Sequence, residues 1–161
     1  MLVLLAANMV FAQEKASNVK NNWLSGELSL IGAGARYERM FNSAFSIGAV
    51  AYYSYTFFIL YDTGADVFAR WYPWGKTFYT GLGVGFHMTT IINFEESSPG
   101  VGIIGAAITP EIGWKIDTGR PGGFFIQPGI KIPITLGVNN YTNAFDVYAF
   151  PIVYFGLGFS F

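Results

Sequence analysis

The sequence predicts an all-β protein, an eight-stranded antiparallel up-and-down transmembrane barrel, and three observations carry that prediction. Of 161 residues, 52% are hydrophobic and only 12% charged, against roughly 25% charged in soluble domains. So few charges make a water-facing surface hard to build. No stretch after the first dozen residues reaches the roughly 18 unbroken apolar residues of a membrane helix. From residue 43 onward the chain alternates residue by residue between two kinds of side chain, which is the period of a strand with two unlike faces. If this chain crosses a membrane, it crosses with strands.

Taken in order, Met1 to Ala12 form an apolar run ending in Val10-Phe11-Ala12 before Gln13, the pattern of a signal peptide and its cleavage site. Residues 13–22 are polar and read as a solvated mature terminus, which leaves 23–161 for the barrel. Clear strands are expected near 24–38, 43–57, 64–73, 77–91, 102–116, 123–136 and 146–161. Seven is an odd number, and closed bacterial barrels have even numbers of strands. The alternation flips within Leu28-Ser29-Leu30-Ile31-Gly32-Ala33, as a bulge or tight hairpin would make it do. The segment between Asn21 and Arg39 is therefore expected to hide two strands. Pro110 and Pro128 each remove a ladder hydrogen bond; counted back from the turn near residue 119, they are expected to share one height and one bulge.

Connections alternate in length. Met40-Phe41-Asn42, Trp74-Gly75 and Thr118-Gly119-Arg120-Pro121-Gly122 look like tight turns, and longer polar loops are expected near 58–64, 92–101 and 137–145. Tight turns at one rim and long loops at the other are what transmembrane barrels show. Tyr37, Trp71, Trp74, Phe78, Trp114 and Phe124 gather beside the short turns and are assigned to a periplasmic aromatic girdle.

The two faces are chemically unlike. Phe78, Leu82, Val84, Phe86 and Met88 oppose Tyr79, Gly81, Gly83, Gly85 and His87, and Ile112 and Trp114 oppose Glu111 and Lys115. Strand register puts Arg36, Glu38, Asp66, Arg70 and Lys131 on the small-residue parity too. A soluble ligand-binding barrel would point its apolar parity inward and its charges outward. Here the charges fall on the face with least bulk, which suits a narrow lumen. The other face would be an apolar surface far larger than a soluble monomer tolerates, so its solvent is assigned as lipid. Arg36, Glu38, Asp66, Arg70, Glu111, Lys115 and Lys131 are thus the candidate lumen charge network, expected to contact one another.

The last strand alternates Val153, Phe155, Leu157, Phe159 and Phe161 with Tyr154, Gly156, Gly158 and Ser160. Phe155, Leu157, Phe159 and Phe161 resemble the C-terminal assembly signal of outer-membrane barrels. With Arg36-Tyr37-Glu38-Arg39 before the first turn and Phe45 after it, residues 22 to 161 resemble the small OmpA/OmpX/OmpW-like barrel group. The resemblance implies the bacterial outer membrane as location, lipopolysaccharide-type lipids and the assembly machinery as partners, and a structural or cell-surface role. A narrow channel for small solutes is the alternative. A lipid-modifying enzyme is the second, motivated by His87 with Thr89 and Glu95 or Glu96 nearby.

Other chemistry is poorly supported. With 9 basic and 10 acidic residues and no basic cluster interleaved with aromatics, nucleic acid is not an expected partner. Cysteine is absent, which removes thiolate metal sites and disulfides. Glu95-Glu96 supplies too few oxygens for a calcium cage, and Gly81 to Gly85 continue a strand instead of opening a helix. No metal site, cofactor or catalytic set is expected.

Overall fold

A computed structural model describes residues 21–29, 32–56, 60–74, 77–91, 101–118, 123–140 and 142–161. Its strands are β1 (Asn22–Ser29), β2 (Gly32–Met40), β3 (Phe45–Thr56), β4 (Leu60–Trp71), β5 (Phe78–Ile91), β6 (Val101–Trp114), β7 (Ile116–Asp117), β8 (Phe124–Lys131), β9 (Ile134–Asn139), β10 (Phe145–Ala149) and β11 (Ile152–Ser160). Every pairing is antiparallel, and β1 pairs with both β2 and β11, which closes the sheet. Three staves are interrupted: β7 continues β6 past Lys115, β9 continues β8, and β11 continues β10. The eleven segments are eight staves of one up-and-down barrel.

The two strands hidden between Asn21 and Arg39 are β1 and β2, with Ser29 directly opposite Gly32. A hairpin that reverses there exchanges the parity of the inward residues, which is the flip seen in the sequence. Trp23, Ser25 and Glu27 point inward on β1, and Arg36, Glu38 and Met40 on β2.

Three local expectations are corrected. Tyr61-Asp62-Thr63-Gly64 is strand, not loop: it pairs with Tyr52 to Tyr55 on one side and with His87 to Thr90 on the other. A two-sided ladder overrides the turn preference of an Asp-Thr-Gly sequence. The connection before it shrinks to residues 57–59, which lie outside the described residues, as do 92–100 and 1–20, where the signal peptide is assigned. The loop expected at 137–145 shrinks to 140–144. Pro110 and Pro128 do not share a height: Gly113 faces Gly129, so Pro128 falls beside Trp114. Instead Pro110, Pro133 and Pro151 converge around Ile132, whose N–H donates to the Pro110 carbonyl at 3.0 Å. The β6 register runs unshifted from β9 to β8 across this point. No residue is inserted, so the interruption is missing donors, not a bulge.

The short turns have clear local causes. Asn42 Oδ1 accepts from the N–H groups of Ala44 and Phe45 at 2.8 Å each, an Asx turn that fixes the β2–β3 reversal. Gly123 has φ 70°, and a Cβ there would collide with Ser160 Oγ, so glycine is required where the chain re-enters the barrel.

The apolar parity faces out, with Val67, Val84 and Phe86 56–62% exposed. The inward parity carries Arg36, Glu38 and Arg70 at 1–2%. Eight strands leave an interior just wide enough for side chains, and here side chains fill it.

Candidate functional site: the closed polar lumen

The central feature of the interior is a chain of charges of alternating sign. Arg70 Nη1 donates to Glu38 at 2.8 Å, and Arg70 Nε and Nη2 donate to Glu111 at 2.7 and 3.0 Å. Arg36 reaches the same Glu111 carboxylate from the other side, through Nη1 at 3.2 Å and Nη2 at 3.1 Å. Arg36 Nε donates to Glu27, which also accepts from Lys131 Nζ at 3.2 Å. Read along its contacts, the chain is Glu38, Arg70, Glu111, Arg36, Glu27, Lys131. Three acids meet three bases, and every group is at least nine-tenths buried. Only such mutual neutralisation makes burial of six ions tolerable.

Neutral groups complete the valences. Ser46 and Tyr72 hydroxyls donate to Glu38, and Tyr154 donates to Glu111 at 3.2 Å. With its amide oxygen toward Arg70, Gln127 accepts from both terminal nitrogens at 2.8 Å. Aromatic faces take up the rest of the guanidinium surface: Arg70 lies 3.9 Å from the Tyr79 ring centre and Arg36 4.4 Å from that of Phe68, in cation–π range.

Two apolar clusters bracket this network. At the end that carries the short turns, Trp23, Met40, Tyr72, Tyr79 and Phe125 pack together inside the barrel, and Lys115 lies against the faces of Trp23 and Phe125. Toward the other end, Val50, Tyr52, Phe68, Phe150 and Ile152 form a second cluster. Beside it, in register with Val50 and Tyr52, lies a second polar group. His87 Nε2 is 2.9 Å from Asp66 Oδ1, and Nδ1 is 3.5 Å from Asp62 Oδ2 and 3.2 Å from the Tyr52 hydroxyl. Thr89 donates to Asp62 Oδ1 at 2.7 Å.

All seven charges assigned to the lumen from the sequence are inward and buried, yet they are not one network. Asp66 belongs with His87. Lys131 is directly opposite Glu111. Glu27, Asp62, Tyr79, Gln127 and Tyr154 were not among the candidates. Glu27 was legible as the third member of Trp23, Ser25, Glu27, but the parity flip beside it obscured the face. His87 is not at a rim; it is wholly buried.

A cavity of about 10 Å3 beside Glu27, Tyr52, Lys131 and Tyr154 has room for about one water. A shallow trough of about 620 Å3 lies on the outer face over Ala35, Ala49, Ala51 and Ala65. The aromatics assigned to the girdle point outward: Tyr37, Trp71, Trp74, Trp114 and Phe124 are exposed, while Phe78 is wedged between Trp74 and Trp114, with ring centres 5.0 and 5.5 Å away. Phe155, Leu157, Phe159 and Phe161 line the outer face of the closing strand. At the opposite end Tyr53, Tyr55 and Tyr61 form a second outward aromatic cluster. Among the described residues, no group of three His, Cys, Asp or Glu side chains is arranged to hold a metal ion.

Fold and interior together define a closed eight-stranded barrel with an apolar outside and an ion-paired inside. No family model and no curated protein matches the chain. Among solved structures it is similar to the N-terminal β-barrel domain of Pseudomonas aeruginosa OprF, with a TM-score of 0.57 and 12% identity, covering 88% of this chain and 96% of that one. At that identity the likeness is one of fold.

Proposed function

We propose that this chain is an outer-membrane β-barrel protein of the small OmpA/OmpX/OmpW-like group, plugged by its own side chains, with a structural or cell-surface interaction role. One observation carries the reading: apolar side chains cover the outside of a closed barrel while an alternating Glu/Arg/Lys chain fills the inside. Lipid suits the first, and the side chains that fill the narrow interior leave little room for water in the second. The two outward aromatic clusters fit the two interfaces of a bilayer. Along β3 the eight steps from Phe45 to Tyr53 span about 27 Å of strand, or about 20 Å of height at the usual tilt of roughly 40°.

Its partners in this reading are lipopolysaccharide-type and other outer-membrane lipids, with the assembly machinery engaging Phe155, Leu157, Phe159 and Phe161. Catalysis has no part in it. His87 is enclosed by Asp62, Asp66 and Tyr52, so a lipid cannot approach its ring, and Thr89 is committed to Asp62.

The test is the refolded chain in detergent and then in a planar bilayer. A faster-migrating unboiled band with a β-type circular dichroism spectrum, and no steady conductance, is the expected result. A detergent-independent, water-soluble monomer would overturn the membrane assignment. Regular small openings would favour the second reading, a narrow solute channel, which needs the contacts of Arg36 and Arg70 with Glu111 to part.

A further inference from the structure

The Asp62, His87 and Asp66 group takes no part in the salt-bridged chain, and its geometry is unusual. A neutral imidazole has one N–H donor and one acceptor nitrogen, whereas an imidazolium has two donors. Both ring nitrogens of His87 face carboxylate oxygens. Among the described residues, neither Asp62 Oδ2 nor Asp66 Oδ2 has a hydrogen-bond partner of its own, and Asp66 Oδ1 accepts from His87. A neutral ring would leave one buried carboxylate facing a lone pair, a costly arrangement.

Charge balance points the same way. The buried acids are Glu27, Glu38, Asp62, Asp66 and Glu111, and the buried permanent cations are Arg36, Arg70, Lys115 and Lys131. With His87 protonated, these fully buried charges balance; Asp146 of β10, half-buried and in register with His87 across Gly105 and Gly137, is held by Asn139. Tyr52 faces His87 from β3, its hydroxyl 3.2 Å from Nδ1 and able to donate there when the ring is neutral, which would still leave Asp62 Oδ2 without a ring donor; Asp62 and Asp66 face it from β4, Thr89 adjoins on β5, and Thr135 of β9 touches Thr89 at 3.3 Å. On β6 the residue opposite is Gly105. Lys131 of β8 lies across the Tyr52 ring, 3.4 Å from its centre. The ring is also held in place by Gly64, where a Cβ would come within 2.6 Å of it.

We propose that Asp62, His87 and Asp66 form a protonation-controlled lock, which ties β4 to β5 while His87 is an imidazolium and loosens that half of the lumen when the ring loses a proton. Deprotonation removes one of the two ring donors, so either Asp62 is left with Thr89 as its donor or Asp66 loses its contact with the ring, and the strands carrying them part more readily. Placing this half toward the cell exterior rests on the reading above; the lock itself does not.

His87 is the chain's one histidine, so its ring nitrogens give unambiguous signals. Nitrogen-15 NMR of the refolded full chain at neutral pH is expected to show both nitrogens protonated. A neutral-ring spectrum there would overturn the proposal. Amide exchange of residues 62–66 and 85–89, corrected for intrinsic base catalysis, is expected to accelerate at least ~10-fold, about 1.4 kcal/mol, across the pH at which the NMR signal changes. In His87→Gln that step is expected to vanish. A step of equal size in both proteins, or none in the natural one, would also overturn it. Band mobility and conductance report on the membrane reading separately, so the two can fail independently.

Discussion

Arg70 and Glu111 meet directly across an intervening strand. Arg70 on β4 is registered with Gly81 on β5, and Gly81 with Glu111 on β6, so their two-pronged contact at 2.7 and 3.0 Å passes over a residue with no side chain. A Cβ at Gly81 would lie 2.8 Å from Glu111 Oε1 and 3.0 Å from the Ala69 carbonyl oxygen. The glycine is what allows the central ion pair to form.

Gly81→Val is therefore expected to push Glu111 off Arg70 and destabilise the barrel by about 1–3 kcal/mol, the usual cost of overpacking. Gly26→Ala is the control, because a Cβ there finds nothing nearer than 4.0 Å. Urea unfolding from lipid vesicles, followed by tryptophan fluorescence, compares the two; equal effects would mean the space over Gly81 is not limiting.

Glu111→Ala removes the carboxylate shared by Arg36 and Arg70 and leaves two buried guanidiniums with reduced compensation. Breaking a buried pair costs about 3–5 kcal/mol, and the same unfolding assay is expected to show a loss in that range. Conductance of the variant in planar bilayers separates two roles for the network. New openings would mark it as the seal, whereas a silent bilayer would assign the seal to the aromatic cluster around Trp23.

Lipid contact has its own signature. Val84→Arg is expected to cost about 2–4 kcal/mol near the bilayer midplane, while Thr142→Arg, in the exposed 140–144 connection, is expected to be nearly neutral. Equal tolerance of both substitutions would place the apolar face somewhere other than in lipid.

Salt distinguishes a buried network from a surface one. The contacts of Glu38, Glu111 and Glu27 with their bases are shielded from solvent, and mobile ions screen buried pairs far less than exposed ones. Unfolding midpoints of the natural chain and of Glu111→Ala are expected to keep the same separation from low to high ionic strength. A separation that collapses in high salt would show water and ions entering the lumen.

Much of this architecture is legible in the sequence because a strand's two faces alternate with a period of two. Phe124, Ile126 and Ile130 fall on one parity, and Phe125, Gln127 and Lys131 on the other, before any partner strand is known. The odd strand count and the flip near Leu28 together locate the β1–β2 hairpin. Local reasoning fails at Asp62, whose neighbours spell a turn. Only pairing with β3 and β5 on both sides makes it a strand residue, and so brings it to His87.

By itself the sequence determined the strand periodicity, the inward and outward faces, and the mismatch between an apolar chain and water, because each depends only on neighbours along one strand. Tertiary structure decided which charges meet. Arg36, far from Glu111 in sequence, shares its carboxylate with Arg70, while Asp66 faces His87. Those pairings depend on the register between staves and on closure of β1 against β11, which bring side chains together across the lumen. No spacing along one chain encodes that distance, since it is set by the whole barrel at once.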